Sequence, residues 1–254
     1  MPLKRTILSV NNFKKAGKII PVLFLFVFAQ SRSSAQPPDY RVIFGNDWQK
    51  ATTFVEQNDS WIKPALAKYS ITYQDAIAVV FPELVRYSAL RDKMEITLLK
   101  TLYRNLGDDY ADFSVGVFQI KPSFAEKIRA ESYTVMGRKA KDLFKKRSAY
   151  KEERLYRAAI IADLEDPETE LNYIIGFFKI CDARFKMELK NEKSKINFLA
   201  TAYNTGFWKT PDEIKIMSDK KFFNTKLFKT ENYSYADVSL YWYNQYIQTV
   251  ENQK

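Results

Sequence analysis

The 254-residue chain contains no histidine. That excludes Ser-His-Asp and Cys-His constellations and any metal centre ligated by imidazole. Acid-base chemistry near neutral pH is left to a perturbed carboxylate, a tyrosine, a lysine or a thiol. Cys181 is the single cysteine, so no intramolecular disulfide can form, and its apolar helical setting reads as core. Glycine is scarce, at seven residues, while aromatics make up 15% of the chain. This balance favours a packed, α-rich fold over a turn-rich β fold.

What is present begins with a basic N-terminus: Lys4, Arg5, Lys14, Lys15 and Lys18 precede an apolar run from Ile19 to Ala29, followed by Ser33-Ser34-Ala35-Gln36. This is the pattern of an export signal, with cleavage expected after Ala35. Eleven apolar residues rise about 16 Å as a helix, roughly half a bilayer core, so no stable membrane span is expected after cleavage. An uncleaved anchor is the alternative, with Pro21 interrupting the run. The expected location is periplasmic, cell-surface or secreted. Loss of residues 1–35 removes six basic residues and lowers the formal charge from +10 to about +4. Export argues against nucleic acid as a partner.

The remaining basic excess is local. Arg138, Lys139, Lys141, Lys145, Lys146, Arg147, Lys151, Arg154 and Arg157 crowd one segment, opposed by Asp142, Glu152 and Glu153. Such a run reads either as a solvated helix face or as an anion-binding patch.

In chain order, residues 36–46 read as an exposed lead-in, and 47–57 and 60–68 as two short helices, the second interrupted by Pro64. Thr72 and Asp75 form a capping-box pattern that starts the helix carrying Glu83. Residues 95–106 carry an amphipathic stripe of Ile96, Leu99, Leu102 and Leu106, closed by Gly107. The stretch 113–120 is rich in β-branched and aromatic residues, and Gly116 within it suggests close backbone approach. Pro122 opens a short helix through Ile128. Residues 138–164 read as one or two helices with Leu155, Ala158, Ala159 and Ala162 inward. Further helix starts fall at Asp166-Pro167, Ser194, Thr210-Pro211 and Ser234. The expected organisation is a signal at 1–35, a lead-in with short helices at 36–70, a principal domain at 71–210 and a helical extension at 211–254.

Glu83 stands out. It interrupts the apolar segment 76–88, beside Val80, Phe81 and Leu84, where an ionised carboxylate is costly. Pro82 leaves two outcomes. A helix restarting there sets Glu83 near a positive terminus and lowers its pKa; a continuous helix buries it and raises the pKa.

Three separated pieces then fall in order: the helix with Glu83, Gly116-Val-Phe-Gln119-Ile-Lys-Pro122, and Ala202-Tyr203-Asn204-Thr205-Gly206. Together they resemble the lysozyme-like lytic transglycosylases, related to goose-type lysozymes, whose pattern is a catalytic Glu on a helix, a Gly-Leu-Met-Gln-Ile-x-Pro element and a later Ala-Tyr-Asn-x-Gly. The segment from Asp166 through Asn172 to Gly176 is similar to the helix that family places before its last element. The resemblance spans about residues 75–208. It departs at Leu84, where the family usually has Ser, at Pro82, and in the 33-residue interval from Glu83 to Gly116.

The resemblance implies a mainly α, lysozyme-like domain with a small β or extended element, acting on peptidoglycan glycan strands without metal or cofactor. A protein partner from the wall machinery is compatible with it. Glu83 would serve as the acid and then the base that draws the muramoyl C6 hydroxyl onto C1, giving a 1,6-anhydro product. Gln119, Tyr203 and Asn204 would orient substrate, with Ser114 and Tyr87 as further candidates and Glu95 in reserve for the acid. Two other readings stay open: a goose-type muramidase, with Asp108, Asp109 or Asp112 as a second carboxylate, and a catalytically silent wall-binding or scaffold protein on the same fold.

Overall fold

A computed structural model describes residues 38–89, 93–224 and 231–252. The expected export signal and its cleavage point lie outside the described residues. The protein is mainly helical. Helices α1 (Tyr40–Phe44), α2 (Asn46–Ala67), α3 (Tyr73–Ala89) and α4 (Lys93–Leu106) precede an extended loop. Then follow α5 (Pro122–Met136), α6 (Glu153–Glu165), α7 (Pro167–Arg184), α8 (Glu192–Thr205), α9 (Pro211–Met217), strands β1 (Lys221–Phe223) and β2 (Tyr233–Ser234), and α10 (Tyr235–Glu251). The strands are antiparallel, pairing Lys221 with Ser234 and Phe223 with Tyr233 across an irregularity. No helix among the described residues is long and apolar enough to cross a membrane.

Local chemistry sets most helix ends. Asp166 accepts from the Thr169 amide with Pro167 behind it, Thr210 and Glu213 close a reciprocal capping box, and Ser234 accepts from the Asp237 amide. At the start of α3 the Thr72 hydroxyl bonds the Asp75 carboxylate instead of an amide, and Lys195 of α8 reaches the same carboxylate. The cap expected from sequence is thereby drawn into a tertiary ion pair.

Several expectations are corrected. The two short N-terminal helices are one, because Asn58 stays in register, donating to the Phe54 carbonyl and accepting from Trp61, while Pro64 comes too late to break it. The lead-in is not exposed throughout: Tyr40 and Phe44 are buried, edge-on to Tyr233, with Phe44 also meeting Phe223. In α4 Leu99 and Leu102 of the expected stripe pack on the core, but Tyr103 is the buried residue among the described side chains and Leu106 faces solvent; the side chain of Ile96 lies outside the described residues. Helix α5 runs on to Met136, past the expected end at Ile128. In α6 the buried face is Tyr156, Ile160, Ile161 and Leu164, which together bury more apolar area than the expected Leu155 and three alanines; Leu155 and Ala162 point outward. The basic run ahead of it forms no continuous helix but two 3₁₀ turns, Gly137–Asp142 and Arg147–Ala149.

Residues 38–70 and 211–252 belong to the same compact unit as 71–210. Helix α3 packs against α2, α8 and α10, and α7 against α5, α6 and α2. The C-terminal aromatics therefore build the core around α3: Trp242 stacks on Phe81, which also meets Trp48.

Candidate functional site

Helix α3 passes unbroken through Pro82. Proline removes the helical bond to the Ala78 carbonyl. Next to that gap, the buried Tyr235 hydroxyl, from the first residue of α10, donates to the Val79 carbonyl at 3.0 Å. Of the two outcomes the sequence allows, the continuous helix is realised, and Glu83 sits one residue beyond the proline with 4% of its surface exposed.

Burial raises Glu83 from the ordinary carboxylate value of 4.5 to about 7, against the charge and hydrogen bonds of Arg86, which lower it. Arg86 Nη1 lies 3.0 and 2.9 Å from the two carboxylate oxygens. The guanidinium in turn covers the Phe223 ring at 4.7 Å. A carboxyl balanced near neutrality can give up a proton and take one back, which is what an acid-base group needs.

The second element is a tight turn. Val115 and Ile120 pair across it, with amide-to-carbonyl bonds of 3.0 Å in both directions. Gly116 has a φ of +76°, and a Cβ there would meet the Leu164 carbonyl at 2.1 Å and the Glu170 carboxylate at 2.4 Å. Only glycine fits. Gln119 has a positive φ of 53°, uncommon for a side chain of its size, and its side-chain Nε2 donates to the Gly116 carbonyl at 2.7 Å. Glu170, fully buried on α7, accepts from the Val117 amide at 2.9 Å and the Phe118 amide at 3.1 Å. Burial pushes its pKa upward, while these amides and that of Ile120 favour the ionised form.

The third element is the C-terminal end of α8. The Tyr203 hydroxyl donates to the Phe118 carbonyl at 2.9 Å, and its ring meets Phe124 and Phe177 edge-on. Its pKa is pushed up by burial first and then by the charges of Glu83 and Glu170. Asn204 is exposed, and Gly206 closes the helix at a φ of +111°. A Cβ on Gly206 would meet the indole of Trp208 at 2.6 Å.

These elements enclose one cleft of about 230 Å³, into which Glu83, Ser114, Gln119, Tyr203 and Asn204 all project. Tyr87 does not join them: it is 40% exposed and lines a separate groove with Gln49, Phe54 and Val117. The side chain of Glu95 lies outside the described residues. Of the three loop aspartates, Asp112 lines the cleft, accepting from the Ser123 amide and from Lys121 Nζ, each at 3.3 Å. Among the described residues no group of three or more acidic or thiol side chains is arranged to hold a metal ion.

Sequence reasoning missed four residues. Arg86 is three positions after Glu83, the spacing of a helical ion pair. Glu170 carries the same signal as Glu83, an acid on an apolar helix stripe. Trp208, 44% exposed on the cleft wall with Lys127 Nζ 4.9 Å from its ring centroid, and Tyr235 have no sequence signature, because their roles arise from tertiary packing.

Compared with family models, curated proteins and solved structures, the chain matches none.

Proposed function

We propose that the protein is an exported, lysozyme-like lytic transglycosylase that cleaves the β-1,4 bond between N-acetylmuramoyl and N-acetylglucosaminyl residues of peptidoglycan. The observation that carries this reading is the buried Glu83 on the cleft wall, poised near neutrality, with Gln119, Tyr203 and Asn204 around it. Protonated Glu83 gives its proton to the glycosidic oxygen as the C1–O bond breaks, and an oxocarbenium-like centre develops at C1. The resulting carboxylate takes the proton of the C6 hydroxyl as O6 bonds to C1. Glu83 is regenerated protonated and no water is consumed. Arg86 favours the intermediate carboxylate and so eases the first transfer, while burial supplies the proton affinity used in the second.

The other residues position. Tyr203 and Glu170 hold the turn 115–120 by its backbone, which fixes Gln119 over the cleft. Asn204 and Ser114 offer polar groups for hydroxyl or N-acetyl functions, and Trp208 offers a flat apolar face for a pyranose ring. The cleft volume lies below the roughly 300–1,000 Å³ of whole-ligand pockets, which suits one ring of a polymer continuing along the surface.

A goose-type muramidase is the second reading, favoured by Asp112 in the same cleft, since hydrolysis uses a second carboxylate to activate water. Against it, the Asp112 carboxylate is occupied by Lys121 and the Ser123 amide. Digestion of purified peptidoglycan by wild type and Glu83→Gln tests the assignment: release by wild type and its loss in the variant are expected. Undiminished release by Glu83→Gln would overturn it.

A further inference from the structure

A second concave site lies farther along α5, and its chemistry is unlike that of the cleft. Lys145 and Lys146, on the irregular segment between the two 3₁₀ turns, and Arg147 and Ser148, which open the second turn, form one wall. Arg129 forms part of the lining and Tyr133 and Tyr156 flank it, around a volume of about 320 Å³.

The wall carries uncompensated charge. Arg147 is paired with Glu153, but neither Lys145 nor Lys146 has an anionic partner among the described residues, and both are exposed. Lys146 is held over the Tyr133 ring at 5.0 Å, so its ammonium is directed without being neutralised. Arg129 is buried, bonded to Asp163 and to the Tyr173 hydroxyl, yet its Nη1 has only a long contact of 3.5 Å with the Tyr150 hydroxyl. The single acid of the lining, Glu126, accepts from the Tyr103 hydroxyl at 2.6 Å. The balance favours an anion.

The two sites share a track. Ser123 lines the cleft, and Glu126, Ala130 and Tyr133 line the basic site. Their spacings of three, four and three place all four on one helix face. Ten residues of helix separate the ends of that track by about 15 Å. A chain bound by its sugar in the cleft and carrying a branch of a few extended residues could set that branch against Lys145 and Lys146, since each residue adds roughly 3.3 Å.

We infer that the basic site takes carboxylate groups of the acidic stem peptide borne by the glycan, making the protein a reader of peptide-substituted strands. This rests on the proposed action on peptidoglycan for its occupant, though the binding itself does not require catalysis. The test is calorimetric titration of the full protein with a free acidic stem tetrapeptide, with inorganic phosphate and with peptide-free disaccharide, using wild type and the exposed-site variant Lys145→Ala/Lys146→Ala. The tetrapeptide is expected to bind wild type, more weakly as salt rises. The double variant should lose about five- to ten-fold of that affinity, two exposed charge contacts' worth, and bind the disaccharide unchanged. Near-UV circular dichroism checks that the variant is folded. Failure of the peptide to bind wild type, equal binding by both proteins, or binding of phosphate alone would overturn the inference. Peptide binding with no cleavage of any strand would leave it standing and remove the proposed reaction instead.

Discussion

A single nitrogen of Arg86 lies within hydrogen-bond distance of both carboxylate oxygens of Glu83, at 3.0 and 2.9 Å, one helical turn apart on a buried face of α3. Burial pushes the carboxyl up and Arg86 pulls it down, leaving it near 7. Replacing Arg86 with leucine removes both lowering influences. The alkaline limb of the pH–activity profile, where the acid loses its proton, is therefore expected to move to higher pH. A limb that stays in place would separate Arg86 from the titration.

The same burial makes Glu83 a pH-dependent cost to folding. The folded protein binds its proton more tightly than the unfolded chain, so between pH 4.5 and about 7 stability falls as pH rises, and the penalty is complete above that window. Glu83→Gln does not titrate. Its stability relative to wild type should rise across this window by on the order of 3 kcal/mol, the free energy of a shift from 4.5 to about 7. Urea unfolding of both proteins at pH 4.5 and pH 8 measures it.

Glu170 is expected to be structural in effect though it stands beside the cleft. Glu170→Ala strips the acceptor from the Val117 and Phe118 amides, two buried donors. A loss of about 2–5 kcal/mol follows, read as a lower denaturation midpoint. Gly116→Ala should fail similarly, because a methyl group there has no space against the Leu164 carbonyl.

Trp208 should contribute binding and little chemistry. Trp208→Ala is expected to raise KM about five-fold, the loss of roughly 1 kcal/mol of ring stacking, with kcat nearly unchanged. A fall in kcat at unchanged KM would place the indole in the chemical step instead.

Much of this was legible in the sequence because its causes are local. Asp166-Pro167, Thr210 with Glu213 and Ser234 mark helix starts by short-range hydrogen bonds, and each starts a helix where it should. Glu83 stands out as an acid in an apolar segment, Gln119, Tyr203 and Asn204 by the resemblance to the transglycosylase motifs, and the fold brings them to one cleft. What was not legible depends on distant partners. The bond on the Val79 carbonyl comes from Tyr235, 156 positions further on, and the role of Glu170 needs a turn 52 residues away. The buried face of α6 is not the stripe of Leu155 and three alanines but that of Tyr156, Ile160 and Leu164, whose burial together removes more apolar surface from water. Tyr87 shares a helix face with Glu83 by spacing, but it stands one turn further along, at a different groove.

The measurement closest to the central claim is the mass of the products released from purified peptidoglycan. If Glu83 acts alone as acid and then base, the muropeptides released by wild type are lighter by one water than their reducing-end counterparts, and Glu83→Gln releases none. Hydrated products would instead assign the second step to water, with Asp112 the residue to test next. Release undiminished in Glu83→Gln, or no release by folded wild type, would contradict the account at its root.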